Sequence, residues 1–149
     1  MPGGAIAVAS DHAGYDLKEM LKRDLQDAGF AVLDLGTHST QSVDYADFGI
    51  AMGEAIAAGK AERGVLVCGT GIGISIAANR NPAVRAALVH DETTARLTRL
   101  HNDANVVAFG ARVIGSETAR AALKVFLSTE FEGGRHAARV AKLSKGPVK

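Results

Sequence analysis

The chain has no tryptophan, a single cysteine and no surplus of charge of either sign. Seventeen basic residues against sixteen acidic ones leave a formal net charge of +1. That balance supplies no electrostatic footprint for nucleic acid or for an anionic membrane surface, and neither partner is expected. One cysteine excludes an intrachain disulfide and a thiolate metal cluster, and such sparing use suits a reducing compartment. No apolar run approaches the roughly 20 residues of a membrane span. The opening segment, MPGGAIAVASDH, has no basic n-region and reaches a charge by Asp11, so no signal peptide is expected. The expected setting is the cytoplasm.

Linkers, repeats and low-complexity segments are also lacking. The 149 residues have the size of one domain, expected over 1–149, with SKGPVK at about 144–149 as a loose tail. A domain of that length buries about 68–70% of its unfolded surface and needs no covalent staple.

What is present is alternation. Short apolar runs at 5–10, 30–36, 64–69, 84–90 and 105–110 read as strands. Amphipathic segments at 14–29, 44–59, 73–79, 91–102, 116–129 and about 134–145 read as helices. Leu17, Met20, Leu21 and Leu25 form the first helical stripe, and Gly29 is placed to end it. Strands alternating with helices predict an α/β fold: a three-layer α-β-α sandwich around a five-stranded parallel, Rossmann-like sheet with right-handed crossovers. In such sheets ligands bind outside the carboxyl ends of the strands. Ser10-Asp11-His12 and Cys68-Gly69-Thr70 end the first and third strands, so polar residues collect at one edge.

The only cysteine therefore stands where a ligand is expected, before the turn GTGIG. The turn imitates a dinucleotide fingerprint at Gly69 and Gly71 but has Ile74 at the third glycine, although Asp91 follows at a ribose-binding distance. No Gly-Lys-Ser/Thr follows, so it is not a P-loop. It does present backbone N–H groups at a helix start, which favour an anion, a developing oxyanion and a thiolate. Read alone, VLVC equally describes a cysteine buried as a small hydrophobe. Asp11-His12, His101-Asn102 and the pair Arg135/Arg139 are likewise weak signals alone. Two guanidiniums four residues apart share a helix face and suit a phosphate.

Taken together, SDHAGYDLK (10–18), DY (44–45), CGTGIGISIAANR (68–80), HNDANVVAFGAR (101–112) and EGGRHAARV (132–140) resemble the ribose-5-phosphate isomerase B / galactose-6-phosphate isomerase subunit family. The segments occur in family order over nearly the whole chain. The resemblance implies an aldose–ketose sugar-phosphate isomerase that uses no cofactor and no metal. It implies Cys68 as the proton acceptor, with Thr70 and the amides of Gly69, Gly71, Ile72 and Gly73 around the enediolate oxygens. It implies Asp11, His12 and Tyr45 as substrate contacts, and His101 as the ring-opening group with Asn102 beside it. Arg112, Arg135 and Arg139 are implied phosphate ligands. Some relatives carry a carboxylate where Ile74 stands and lack the cysteine; this chain resembles the thiol branch.

The chemistry asks for the same parts: a base at C2, donors for an oxyanion, an acid/base for the furanose and an anchor for the phosphate. Ribose 5-phosphate/ribulose 5-phosphate is the favoured pair. An isomerase of a hexose 6-phosphate of allose or galactose type, and a nucleotide-binding module, are the alternatives. With the third and fifth strands parallel, Cys68 and His101 fall at opposite sheet edges, roughly 16 Å apart over a five-residue strand. A homodimer (or dimer of dimers) with shared active sites is therefore expected, unless residues 101–104 fold back over the sheet.

Overall fold

Side chains alternate faces along each central strand, and this alternation divides the core in two. A computed structural model describes residues 4–145. Its elements are β1 (Ile6–Ser10), α1 (Tyr15–Asp27), β2 (Val32–Asp34), α2 (Tyr45–Ala57), β3 (Arg63–Cys68), α3 (Ile72–Asn79), β4 (Ala86–Leu88), α4 (Glu92–Asn102), β5 (Val106–Gly110), α5 (Ser116–Ser128) and α6 (His136–Leu143). Ile6, Val8, Val65, Val67, Val107 and Phe109 point to one face and pack with α1, α4 and α5. Ala7, Ala9, Leu66, Cys68, Val106 and Ala108 point to the other and pack with α2 and α3. The second face is built of smaller residues, so its helices lie close.

All pairings are parallel, in the order β2-β1-β3-β5-β4. The expected α/β sandwich is thus observed. The order adds something the alternation does not carry. From β1 the chain builds outward to β2, then returns to place β3 on the other side. The gap between the ends of β1 and β3 is a topological switch point, where open sheets of this kind hold ligands.

Strands are shorter than their apolar runs. Gly29 (φ 94°) ends α1, Phe30 N–H donates back to the Leu25 carbonyl (3.0 Å), and pairing of β2 begins only at Val32. Of the expected loose tail, residues 146–149 lie outside the described residues, whereas Ser144 is tied down: Arg85 Nη1 donates to its Oγ (3.0 Å).

Lys18 is fully buried, yet its ammonium is saturated. Nζ donates to Asp34 Oδ1 (2.8 Å), Asp34 Oδ2 (3.0 Å) and the Thr37 carbonyl (2.7 Å). Lys22 Nζ (2.9 Å) and the Gly36 N–H (2.9 Å) donate to the same carboxylate. Burial, the largest single influence, pushes the Asp34 carboxyl up. Hydrogen bonds from Lys18, Lys22 and Gly36 together outweigh it, and the group ends below its ordinary value. A carboxyl lowered in the fold contributes stability above its unfolded value, and that contribution is lost as pH falls through the folded value. Asp34→Ala leaves the Lys18 charge without its main partner and is expected to cost about 3–5 kcal/mol. A denaturant titration should show a lower midpoint with an unchanged slope, and stability that falls less steeply on acidification.

Candidate active site

The carboxyl ends of β1 and β3 are stitched together. Asp11 N–H donates to the Val67 carbonyl (3.2 Å), and Asp11 Oδ1 accepts the Gly14 N–H (3.0 Å) at the start of α1. His12 follows, its Nδ1 accepting the Val43 N–H (3.1 Å) from the loop that leads to α2.

Cys68 is 4% exposed, the last residue of β3, and its side chain lies on the α2/α3 face. The Gly71 N–H donates to Cys68 Sγ (3.2 Å), and the Ile72 N–H donates to Thr70 Oγ1 (3.2 Å). Two of the amides expected to cradle an oxyanion are therefore already directed at side chains. The first four N–H groups of a helix have no partner within it. At the start of α3 the amides of Gly73 and Ile74 remain, while Ser75 N–H returns to the Gly71 carbonyl (3.3 Å). Ile74 itself is fully buried in the α2/α3 core, where it serves packing.

Two glycines of this turn are closely covered. Gly71 has φ 78°, and a Cβ there would meet Leu88 Cδ1 at 2.6 Å and the Phe109 carbonyl carbon at 2.8 Å. At Gly73 a Cβ would run into the Tyr45 ring, which would have to shift. Tyr45, the first residue of α2 and about half exposed, thus lies directly on the glycine turn. Just past β5, Ala111 N–H and Arg112 N–H donate to the carbonyls of Cys68 and Gly69 (both 2.9 Å), and the Arg112 guanidinium lies against Gly69. Asp11, His12, Tyr45, Cys68, Gly69, Thr70, Gly71, Ile72, Gly73 and Arg112 therefore share one end of the sheet.

His101, Asn102, Arg135 and Arg139 do not join them. β3 and β5 run parallel with Cys68 opposite Gly110 and Gly64 opposite Val106, so the segment entering β5 lies at the amino edge. The fold-back alternative does not occur. Asp103 ends α4 in the left-handed region (φ 47°), Ala104 N–H donates to the Thr98 carbonyl (3.2 Å), and Asn105 N–H donates to the Arg85 carbonyl (3.1 Å). At about 3.3 Å per residue, the five residues of β5 hold this segment roughly 16 Å from the edge where Cys68 and Arg112 lie.

At the amino edge the His101 ring stacks on His136, with centroids 4.5 Å apart. His136 is buried, its Nε2 has no hydrogen-bond partner among the described residues, and Glu132 Oε1 stands 3.9 Å from that atom. Arg135 Nη1 is 4.0 Å from Glu132. Asn102 lines a cleft of about 400 Å³ with Arg85, Thr98, Ala104 and Leu143. Burial first, then the charge of Arg135 and the neighbouring His101, push His136 below the ordinary imidazole value, against the opposing pull of Glu132. The fold therefore favours neutral His136, and stability is lost as pH falls from the ordinary value toward the lowered one. His136→Gln is expected to flatten the dependence of the denaturation midpoint on pH as the pH falls below about 6.5.

Ligand atoms of His101, Glu132 and His136 lie within 4.8 Å of one another, near enough to consider a cation. As arranged, imidazole lone pairs lie in their ring planes, and two nearly parallel rings (19°) do not direct them at one point. Asp91, the acid that suggested a ribose contact, instead caps α4: its Oδ1 accepts the Thr94 N–H (2.7 Å). It follows β4, the edge strand two places from β3. Sequence reasoning passed over Lys18, Glu132, His136 and the Val43 amide. The first three stand in quoted motifs, but Lys18 and His136 meet Asp34 and His101 from remote segments.

No helix among the described residues is long and apolar enough to cross a membrane. The Clostridium thermocellum ribose-5-phosphate isomerase B structure superposes with a TM-score of 0.93 at 48% identity, over 95% of both chains. Ribose-5-phosphate isomerase B of Escherichia coli (strain K12) is 43% identical over 91% of either chain. D-erythrulose-4-phosphate isomerase of Pectobacterium atrosepticum is 42% identical over 93% of this chain and 92% of that protein. The model of the Ribose/Galactose Isomerase family matches residues 6–143. That match spans both polar clusters and every strand between them, and the chain belongs to the Ribose/Galactose Isomerase family.

Proposed function

We propose that this chain is an aldose–ketose isomerase that interconverts ribose 5-phosphate and ribulose 5-phosphate through an enediolate. The observation that carries the reading is Cys68. Its sulfur sits at the switch point and accepts an amide N–H at the start of α3, within a chain 43% identical to a ribose-5-phosphate isomerase B. Cys68 takes the proton from C2 and returns it at C1. The amides of Gly73 and Ile74 face the oxygens that become negative, and a donor aimed at developing charge contributes more than one aimed at the ground state. His101, with Asn102, opens the furanose. Arg112, Arg135 and Arg139 hold the phosphate.

Two observations support a site shared by a two-fold dimer. The Cys68 group and the His101 group lie at opposite ends of β5. Beside the Cys68 group, Tyr45, Ile50, Ile72 and Ile76 of α2 and α3 leave apolar side chains in solvent. A partner covering that strip can bring its own His101, Asn102, Arg135 and Arg139 to Cys68.

The deciding experiment compares kcat/KM for ribose 5-phosphate with that for allose 6-phosphate, galactose 6-phosphate and erythrulose 4-phosphate. Ribose 5-phosphate is expected to be fastest; another sugar in first place replaces the substrate assignment. The arginines should act on affinity. A charged hydrogen bond contributes about 1.5–3 kcal/mol, so Arg135→Ala or Arg139→Ala should raise KM roughly 10–150-fold. Inhibition by inorganic phosphate should weaken in parallel, and unchanged inhibition in both variants removes them from the site.

A further inference from the structure

We infer that His12 acts as a neutral hydrogen-bond donor through Nε2–H, toward an oxygen of the bound sugar phosphate, and that the Val43 amide fixes this tautomer. The identity of the ligand rests on the isomerase reading above; the tautomer does not. A backbone N–H can only donate. At 3.1 Å from Val43 N, Nδ1 must therefore offer its lone pair, and the ring proton of the neutral imidazole belongs on Nε2. The other tautomer would set two N–H groups against each other. Nε2 has no protein partner among the described residues. It belongs to the residue after Asp11, at the edge shared with Cys68.

The donor that sets the tautomer is itself held. Its loop leaves β2 through three backbone bonds to β1: Leu35 N–H to the Val8 carbonyl (2.8 Å), Ser10 N–H to the Gly36 carbonyl (2.7 Å) and Thr37 N–H to the Ser10 carbonyl (2.8 Å). The Thr37 carbonyl then receives the buried Lys18 ammonium (2.7 Å). At its far end the loop passes directly into α2 at Tyr45, which lies on Gly73. Anchored at both ends, the loop keeps the Val43 N–H on Nδ1, and His12 needs no rearrangement when substrate arrives. A donor preset in this way stabilises a developing oxyanion without the cost of reorienting a dipole.

The test reads the ring nitrogens of the full-length protein. With 15N-labelled histidine at about pH 8, above the ordinary imidazole range, His12 is assigned by the signals lost in His12→Gln. Nδ1 should show the shift of an unprotonated nitrogen and Nε2 that of a protonated one. The reverse assignment, or averaged shifts from a tautomer mixture, overturns the proposal. A second arm uses side chains that imitate each nitrogen. Glutamine places an amide N–H near the Nε2 position and asparagine near Nδ1. His12→Gln should therefore keep about tenfold more kcat/KM than His12→Asn, a difference of one hydrogen bond. Equal losses, or the opposite order, overturn the donor role. A wild-type protein without isomerase activity would refute the function while leaving the tautomer to be read from the spectrum.

Discussion

Cys68→Ala protein is expected to turn over ribose 5-phosphate about 10²–10⁴-fold more slowly, the usual contribution of a general base. KM should change little, because the groups assigned to the phosphate are untouched. The physical case is local. Cys68 ends β3 where the strand must give way to α3, and Gly71 takes the left-handed conformation that makes this turn possible. The turn brings the Gly71 N–H onto Sγ, so the sulfur is held by a donor suited to a thiolate. The change from CH2SH to CH3 removes a single sulfur atom at the edge of the core, and the variant should fold. Steady-state rates with the folded variant decide the matter: near-normal turnover removes Cys68 from the base role.

Equal amounts of inactive Cys68→Ala and inactive His101→Ala proteins, mixed and allowed to exchange subunits, are expected to recover up to about a quarter of normal activity. Random pairing makes half the dimers mixed. In each mixed dimer one site receives both lesions and the other receives neither, so half the sites in half the dimers work. This follows from where each lesion lies. Cys68 is paired with Gly110 at the carboxyl edge, and His101 belongs to α4, which closes at the amino edge. The dimer itself is part of what is tested. No recovery, with exchange verified by mass-tagged subunits, would mean that one chain carries a complete site.

Every strand and helix was legible in the sequence because each depends on local pattern. Leu17, Leu21 and Leu25 recur at helical spacing on α1, and VLVC alternates between two buried faces. The ends were less legible. At Phe30 an apolar side chain extends the strand pattern, but its N–H is used to close α1. At Val84 the side chain is buried in the core while the ladder starts two residues later. What the sequence could not carry is pairing between distant segments. Lys18 reads as a polar position on an amphipathic helix, and only the arrival of Asp34, sixteen residues on, makes its burial possible. The glycine turn and its cysteine stood in one stretch and could be read together. His101 and His136 stand thirty-five residues apart, and nothing in either segment announces that the rings stack. The separation of the two polar groups, by contrast, followed from counting strand residues once β3 and β5 were taken as parallel, as they are.

The saturated ammonium of Lys18 also gives the fold a built-in chemical clock. An amine reacts with acylating reagents only through a free lone pair reached from solvent. Lys18 offers neither, since three acceptors surround a nitrogen with no exposed surface. Lysines with solvent access, such as Lys22 beside it, label from the native state. Acylation of Lys18 must wait for β2 and the loop after it to open away from α1, so its rate, read by peptide mass against that of Lys22, reports the frequency of that opening.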